Sequence, residues 1–166
     1  MVTLYYKGNT LKVLGNNGII IEMIIEVNGE QETKDLATKI ASQLKGGEVF
    51  ELIGDVGAGK TTFVKGLAKG LEVDDDIQSP SFTISRLYDA RDDLQLVHYD
   101  FYRLTDAGIM ADELNEMVHD EKMITVIEWA DIVEGVLPEG RYTIRFESPS
   151  ETSRVITLPD TLGVTV

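Results

Sequence analysis

The stretch Gly54–Thr62, GDVGAGKTT, decides the fold class of this chain. It follows the apolar run Val49–Ile53, VFELI, which has the length of a buried strand, and precedes apolar residues at helical spacing from 63 to 71. Residues 54–61 match the P-loop pattern of a glycine, four residues, a second glycine, lysine, and serine or threonine. A strand before such a loop and a helix after it form the context in which the pattern binds nucleotide phosphates.

Each position of this loop has a physical reason. Gly57 and Gly59 allow backbone conformations that other residues avoid, and they let the peptide approach a phosphate closely. Lys60 is predicted to reach the terminal phosphates, and the hydroxyl of Thr61 is predicted to bind Mg²⁺. The alternative is a glycine-rich turn whose lysine faces solvent, but the flanking strand and helix favour nucleotide binding. The predicted cofactor-binding residues of the loop are Asp55, Val56, Gly57, Ala58, Gly59, Lys60, Thr61 and Thr62.

Two carboxylates and one hydroxyl-rich stretch are candidates for the rest of the site. Asp100, in HYDFYRL, and Glu128, in VIEWAD, each follow an apolar strand pattern, and ligands of open α/β sheets collect at the carboxyl ends of strands. The stretch at 78–83, QSPSFT, is suited to sensing a γ-phosphate. Any single carboxylate in an acidic chain is more often a solvated residue, but beside a P-loop we expect all three features to converge on the nucleotide.

Other polar and aromatic residues have less specific interpretations. His98 lies in a predicted strand and is interpreted as buried structure rather than as a base. Trp129 either stacks on a nucleotide base or fills the core, and Arg103 either stabilises phosphate charge or pairs with a carboxylate. His119 and the acidic run Asp74–Asp76 are interpreted as exposed surface.

Composition restricts the class of protein. The chain has 29 Asp and Glu against 15 Lys and Arg, so its formal net charge is -14, and such a surface repels nucleic-acid backbones. It has no cysteine, which excludes disulfides and thiolate metal sites. No segment approaches the roughly 20 apolar residues of a membrane span, and the N-terminus lacks the features of a signal peptide. We therefore expect a cytoplasmic protein with no membrane partner.

Alternating strand and helix patterns predict the fold. Apolar or β-branched runs predict strands at Ile19–Val27, Val49–Ile53, Leu94–Tyr99 and Met123–Ile127, and helical patterns lie at 36–44, 63–71 and 107–118. RYTIRF and SRVITL predict a terminal antiparallel pair. This order indicates an α/β fold, a P-loop NTPase-like sandwich with a mostly parallel central sheet flanked by helices and antiparallel strands at the ends.

The domain organisation follows from length. A chain of 166 residues favours one domain over 1–166. Residues 1–22 are interpreted as an N-terminal extension with no assigned role, in which LYYKGNTLKVL is compatible with a small hairpin turning at Lys7–Thr10.

The motifs GDVGAGKTTF, SPSFT, HYDFYRL and IEWAD, taken together in this order, resemble those of the TsaE (YjeE) family. With EVNGEQETKDLA they span Glu26–Asp131, most of the chain. The resemblance implies a P-loop ATPase of bacterial tRNA threonylcarbamoyladenosine synthesis that uses ATP and Mg²⁺. It implies partners of the TsaD and TsaB families, which transfer the threonylcarbamoyl group to the adenosine beside the anticodon. ATP hydrolysis would then support repeated turnover of that transfer. From the acidic composition we expect no direct tRNA binding by this chain.

The resemblance also implies residue roles. Lys60 and the loop backbone hold phosphates, Thr61 and Glu128 hold Mg²⁺, and Asp100 is the essential carboxylate. The hydroxyls at 81 and 83 match the switch-like loop of the family. The predicted catalytic residues are thus Asp100, Lys60 and Thr83, the metal ligands are Thr61 and Glu128, and Ser81, Asp100 and Trp129 join the loop residues that bind the cofactor.

Some residues depart from the family pattern, and two other functions stay open. Ser81 and Phe82 stand where the family usually has threonine and tyrosine, changes that keep one hydroxyl and the ring. The segment 107–120 lacks the usual glycine and aspartate spacing, so partner contacts of its helix are expected to differ. The part of the chain from about Glu134 is too weakly patterned to assign residue roles, so a position of Arg154 near the nucleotide is a hypothesis with no motif behind it. A small-molecule kinase, which needs an acceptor pocket and a lid, and a nucleotide-gated binding module with little catalysis are the alternatives.

Overall fold

The computed structural model describes residues 2–6, 9–14 and 20–162. In these ranges nine strands form one sheet, and they are β1 (Val2–Tyr6), β2 (Asn9–Leu14), β3 (Ile20–Asn28), β4 (Val49–Ile53), β5 (Ser85–Asp89), β6 (Gln95–Asp100), β7 (Met123–Glu128), β8 (Tyr142–Glu147) and β9 (Ser153–Pro159). The α-helices of the same ranges are α1 (Glu30–Ala41), α2 (Lys60–Gly70) and α3 (Ile109–Met117). None of these helices combines the length and apolar character that a membrane crossing requires.

The sheet has a parallel centre and antiparallel margins. Its described strands follow the order β1-β2-β3-β9-β8-β4-β7-β6-β5. The central strands β8, β4, β7 and β6 pair in parallel, while the flanking strands pair antiparallel. This arrangement confirms the predicted α/β class. Because β4, β6 and β7 run in the same direction, their carboxyl ends meet at one edge, where α/β sheets bind ligands.

Apolar side chains cover both faces of the central sheet. All six residues of β7 are buried, as expected for a parallel strand with helices on either side. On one face, Ile40 of α1 and Leu67 of α2 belong to a core cluster with the sheet. On the other face, Leu114 of α3 packs with Ile127 in a second cluster. The sheet is thus the middle layer of a helix–sheet–helix sandwich.

Helices α1 and α2 approach each other closely at a glycine. A Cβ atom on Gly66 would lie 2.5 Å from the carbonyl oxygen of Lys34 and 2.6 Å from the Cβ of Ala37. Real Cβ atoms do not tolerate such distances, so the helices could not pack this closely with any larger residue at Gly66. The close contact fixes α2, which begins at the P-loop, against α1.

A single arginine joins the carboxyl ends of the same two helices. The guanidinium of Arg91 donates hydrogen bonds to the carbonyl oxygens of Ala41 and Leu44, each at 3.1 Å, and to that of Gly70 at 3.4 Å. These carbonyls lie in or just beyond the last turns of α1 and α2, where backbone acceptors lack helical partners. A cation at this position also complements the negative ends of both helix dipoles.

The predicted strands are confirmed, with one strand missed. Strand β5 was not predicted, because only Tyr88 of its five residues is buried and the pattern resembles a loop. The antiparallel pair predicted near the C-terminus is confirmed as β8 and β9, which lie between β4 and β3 in the sheet. The N-terminal hairpin is confirmed as β1 and β2. Of its predicted turn at Lys7–Thr10, Asn9 and Thr10 belong to β2 instead. Lys7 and Gly8, like the predicted strand start Ile19, lie outside the described residues.

Candidate active site

The P-loop connects β4 to α2 at the carboxyl edge of the parallel strands. Gly57 and Gly59 have φ angles of 80° and 105°, in the left-handed region that glycine favours. No described atom lies within 4 Å of the position that a Cβ on Gly57 would occupy, so the loop is open there. Helix α2 begins at Lys60, and its N-terminus adds partial positive charge to the loop.

Several backbone N–H groups of the loop have no acceptor. In the described part of the chain, the N–H groups of residues 57 and 59–62 donate no hydrogen bond, whereas the Ala58 N–H donates to the Asp55 carbonyl at 3.1 Å. Successive free N–H groups at a helix N-terminus attract an anion such as phosphate. The backbone here therefore has the geometry of a phosphate cradle.

The side chain of Lys60 is buried within this loop. Its Nζ donates hydrogen bonds to the carbonyl oxygens of Gly54 at 2.6 Å and Asp55 at 3.0 Å. It also lies 3.7 Å from Glu128 Oε2 and 4.8 Å from the centre of the Trp129 ring. The ammonium group is thus held where the P-loop, β7 and the indole ring meet.

Glu128 ends β7 and is buried. Its Oε1 lies 3.0 Å from Nε2 of His98, which is fully buried one strand away, as the sequence predicted for that histidine. Its Oε2 faces Lys60. The two carboxylate oxygens of Glu128 therefore have different neighbours.

Asp100 ends β6 and is also buried. Its Oδ1 accepts a hydrogen bond from the backbone N–H of Tyr102 at 3.0 Å, and its Oδ2 accepts one from the hydroxyl of Ser79 at 3.0 Å. The hydroxyl of Ser81 also donates to Oδ2. The hydroxyl-rich loop at 78–83 therefore contacts Asp100, as expected from the sequence.

These groups surround one cavity of about 450 Å³. The predicted site residues that line it are Val56, Gly57, Gly59, Lys60, Thr61, Thr62, Ser81, Asp100, Glu128 and Trp129. A volume of this order is typical of small-molecule sites. The structure thus brings most of the sequence-predicted site residues to a single concave surface.

Three predicted residues do not line this cavity. Asp55 contributes only its backbone carbonyl, which accepts hydrogen bonds from Lys60 and from the Ala58 N–H, and the side chain of Ala58 is buried. Thr83 is exposed, and its N–H donates to the carbonyl of Pro80 at 2.9 Å. The turn at Pro80 directs the hydroxyl of Ser81, but not the side chain of Thr83, toward Asp100.

Three further lining residues were missed in the sequence. Ser79 contacts Asp100, Glu30 lies in the first turn of α1, and the ring of Tyr102 lies 4.9 Å from that of Trp129. Ser79 lies in the stretch that was singled out, so its signal was present, but Glu30 is only one acid among many. Neither its position nor its spacing distinguishes Glu30 in the sequence.

The two arginines left open by the sequence lie at different parts of the site. Arg103 lines the cavity, and its guanidinium stacks 4.3 Å from the centre of the Phe82 ring. Arg154 reaches the loop from β9, with one guanidinium nitrogen 3.4 Å from the Gly57 carbonyl. A Cβ on Gly59 would lie 3.8 Å from its Nε. Arg154 therefore packs along the outer side of the P-loop.

The remaining candidates are surface residues, as predicted. Asp74–Asp76 and His119 are exposed. In the ranges that the structure describes, no group of three or more acidic, histidine or cysteine side chains is arranged to hold a metal. Thr61 and Glu128 both line the cavity, and a hydroxyl and a carboxylate are oxygen donors of the kind that Mg²⁺ accepts.

The chain is similar to proteins of known family. Residues 27–156 match the family model for the threonylcarbamoyl adenosine biosynthesis protein TsaE. The chain is 39% identical over 127 residues to the tRNA threonylcarbamoyladenosine biosynthesis protein TsaE of Bacillus subtilis, which covers 76% of this chain and 78% of that protein. It is 42% identical over 123 residues to the Aquifex aeolicus protein of the same name, which covers 68% of this chain and 90% of that one.

A solved structure agrees with these similarities. The crystal structure of Bacillus subtilis YdiB superposes with a TM-score of 0.71 at 33% identity, over 86% of this chain and 88% of that one. The region that matches the TsaE family model, residues 27–156, begins in β3 and ends in β9. It contains the whole P-loop, Asp100 and Glu128. This chain therefore belongs to the TsaE family.

Proposed function

We propose that this chain binds ATP with Mg²⁺ in the cavity and hydrolyses the ATP to support tRNA threonylcarbamoyladenosine synthesis. One observation carries the proposal: free P-loop N–H groups, the buried ammonium of Lys60 and two buried carboxylates surround the same cavity. Polyphosphate needs the positive groups, and phosphoryl transfer to water needs a metal-binding carboxylate and a group that orients the water. The relatives from Bacillus subtilis and Aquifex aeolicus are named as tRNA threonylcarbamoyladenosine biosynthesis proteins, which supports the assignment of this chain to that pathway.

Each residue has a role in this proposal. The loop N–H groups and Lys60 hold the phosphates, and Lys60 gives up its contacts with the Gly54 and Asp55 carbonyls to do so. Thr61 and Glu128 hold Mg²⁺, which when bound neutralises charge that develops on the phosphate oxygens. Asp100 orients the attacking water, because its carboxylate is fixed from two sides and lines the cavity.

The aromatic residues and Arg154 complete the site. Trp129 shields Lys60 from solvent with its ring 4.8 Å from Nζ, which strengthens the electrostatic interaction with phosphate. Arg154 supports the outer side of the loop near Gly57. Thr83 stays a predicted catalytic residue only if the loop at 78–83 turns its hydroxyl inward when nucleotide binds, since it is exposed here.

The proposed partners are TsaD and TsaB family proteins. Large apolar side chains stand exposed at the rim of the site, with Val56 71%, Phe82 84% and Tyr102 53% exposed. Exposed apolar groups that cluster around a functional site are typical of a protein interface. The net charge of -14 supports docking on a basic surface of a tRNA-handling partner rather than on tRNA itself.

ATP hydrolysis tests this function directly. We would measure phosphate release by the purified protein with Mg²⁺, alone and with the TsaD–TsaB pair from the same source. Lys60→Ala is the blank, and Lys65→Ala, an exposed lysine of the same helix, is the matched control. We expect stimulation by the pair that disappears in Lys60→Ala and persists in Lys65→Ala.

Other results would change the proposal in defined ways. Nucleotide binding without stimulation would remove the partner assignment. Phosphate release that requires a metabolite acceptor would point to a kinase. Binding without turnover, even beside the partners, would leave a nucleotide-gated binding module, and no nucleotide binding at all would remove the site assignment.

A further inference from the structure

His98 is a buried titratable group beside the site that the proposed reaction does not use. It lies in β6 two residues before Asp100 and has no exposed surface. Alternation along the strand puts Leu96, His98 and Asp100 on one face, the face that packs against α2. Apolar Leu96 and Val126 are members of the core cluster there, so an apolar side chain at this position would suit the core.

Only one of the two ring nitrogens of His98 has a partner. Nε2 lies 3.0 Å from Oε1 of Glu128, whereas Nδ1 is buried with no hydrogen-bond partner among the described residues. A carboxylate accepts hydrogen bonds, so Nε2 carries the hydrogen that points at Glu128, and Nδ1 is left as a buried polar atom without a partner among the described residues. Burying an unpaired polar atom costs free energy, so packing alone does not explain a histidine at this position.

The contact with Glu128 explains better why a histidine occupies this position. Glu128 and Asp100 are register partners on adjacent parallel strands, so His98 lies diagonally behind Glu128 on the same face. Its hydrogen bond occupies Oε1 and leaves Oε2 directed at Lys60, 3.7 Å away, and at the cavity. When Lys60 turns to a phosphate, His98 is the remaining side-chain donor to this buried carboxylate in the described residues.

We infer that His98 is a positioning residue that holds the Glu128 carboxylate so that Oε2 faces the magnesium position. This inference rests on the proposed role of Glu128 as a magnesium ligand. Groups that hydrogen-bond to metal ligands fix the orientation of those ligands, and their loss typically weakens metal affinity or activity by about 10 to 100-fold. His98 acts through Glu128 and touches neither nucleotide nor metal.

The test compares His98→Leu, which removes the donor, with His98→Gln, whose amide N–H can replace Nε2–H. His119→Gln is the matched control, because His119 is the other histidine of the chain and is exposed. The chain has one tryptophan, Trp129, which adjoins Glu128 and lies over Lys60, so its emission reports on the site. We would titrate a non-hydrolysable ATP analogue in EDTA, and then titrate MgCl₂ at fixed analogue.

We expect His98→Leu to raise the MgCl₂ concentration at half-saturation by about 10 to 100-fold, while analogue binding in EDTA stays within about threefold of wild type. His98→Gln should recover most of the magnesium affinity, and His119→Gln should match wild type. For ATP hydrolysis, His98→Leu should raise the apparent KM for Mg²⁺ more than it lowers kcat, because Glu128 itself remains. In a Glu128→Gln background, His98→Leu should have no further effect on the MgCl₂ midpoint.

Other outcomes would overturn the inference. A His98→Leu midpoint within twofold of wild type would do so, as would equal effects of His98→Leu in the presence and absence of Glu128. Loss of analogue binding in EDTA by both His98 variants would assign His98 a structural role instead. Wild-type protein distinguishes failure of this inference from failure of the proposed function. The proposed function fails if wild-type protein binds no analogue, or if MgCl₂ does not change its binding, whatever the variants do.

Discussion

Asp100 and Glu128 stand opposite each other as register partners at the carboxyl ends of β6 and β7. The backbone fixes their spacing, and the N–H of Phe101 continues the pairing by donating to the Glu128 carbonyl at 3.1 Å. Their surroundings differ, because Asp100 accepts hydrogen bonds from a loop and a turn, whereas Glu128 contacts His98 and Lys60. The two adjacent carboxylates therefore lie in different electrostatic surroundings, which suits the different roles proposed for them.

Asp100→Asn should separate catalysis from binding. The amide keeps the size of the side chain but is a poor base, so we expect hydrolysis to fall by about 100-fold or more. Affinity for the ATP analogue should change little, because the phosphate cradle is backbone and Lys60. Phosphate release and Trp129 emission measure the two quantities. Asp112→Asn, at an exposed position of α3, is the control, and equal losses of binding and hydrolysis would contradict the assignment.

Gly66→Ala should destabilise the fold although alanine favours helices. The helical gain of about 1 kcal/mol is outweighed by overpacking of about 1 to 3 kcal/mol, because the new Cβ would meet the Lys34 carbonyl oxygen at 2.5 Å. Urea unfolding should show the loss as a lower midpoint. Gly140→Ala, where no described atom lies within 4 Å of the new Cβ, should leave the midpoint nearly unchanged. A higher midpoint for Gly66→Ala would show that the two helices can separate without cost.

Arg91→Ala should lower the free energy of unfolding by about 1.5 to 3 kcal/mol, the range for hydrogen bonds made by a charged group. The substitution leaves the carbonyls of Ala41, Leu44 and Gly70 without their shared donor. Arg145→Ala is the comparison, since Arg145 is 51% exposed and its ion pair with Glu22 spans 3.7 Å. We expect the Arg145 change to cost at most about 1 kcal/mol. Equal effects of the two variants in chemical denaturation would argue against the bridging role of Arg91.

Alkaline pH should weaken the fold through Tyr99. Burial, and then the hydrogen bond from its hydroxyl to Glu113, raise the pKa of Tyr99 above its ordinary value. The raised pKa means that the folded state favours the neutral phenol. This contribution is complete below the ordinary tyrosine pKa of about 10 and is lost as pH rises from there toward the folded-state pKa.

The variant Tyr99→Phe isolates that contribution. Its free energy of unfolding should fall less steeply than that of wild type between about pH 10 and pH 11.5, since no phenol titrates at position 99. Parallel curves for the two proteins in urea unfolding at each pH would exclude Tyr99 as the cause. The hydroxyl that Tyr99→Phe removes donates a hydrogen bond to Glu113 of α3 at 2.8 Å.

Site residues that belong to short contiguous motifs were predictable from the sequence. Lys60, Asp100 and Glu128 each belong to a short motif beside a strand, so their convergence followed from the rule that parallel strands share a carboxyl edge. The turn at Pro80 was not predictable in detail, and it decides that Ser81 lies inside and Thr83 outside the cavity. That choice depends on backbone dihedral angles that residue types do not specify.

Features that depend on distant pairing were not predictable. Arg154 reaches the P-loop only because β9 pairs with β3 and β8, and no local pattern encodes that order. Strand β5 escaped prediction because Leu87 is exposed while Tyr88 is buried at an edge of the sheet. Propensity describes short segments, whereas these outcomes depend on which strands become neighbours.

The position of β9 in the sheet also determines when β3 can pair with the rest of the sheet during synthesis. In the described sheet, β3 joins the central strands only through β9, although β3 leaves the ribosome early and β9 leaves it late. During vectorial synthesis one edge of β3 therefore stays unpaired while the P-loop and the strands β6 and β7 emerge. Pairings so distant in sequence are slow to form, and an exposed edge invites association with other chains. A nascent chain that stalled before β9 would carry a complete phosphate-binding motif, but it would lack the strand that completes the sheet and the arginine that supports the loop.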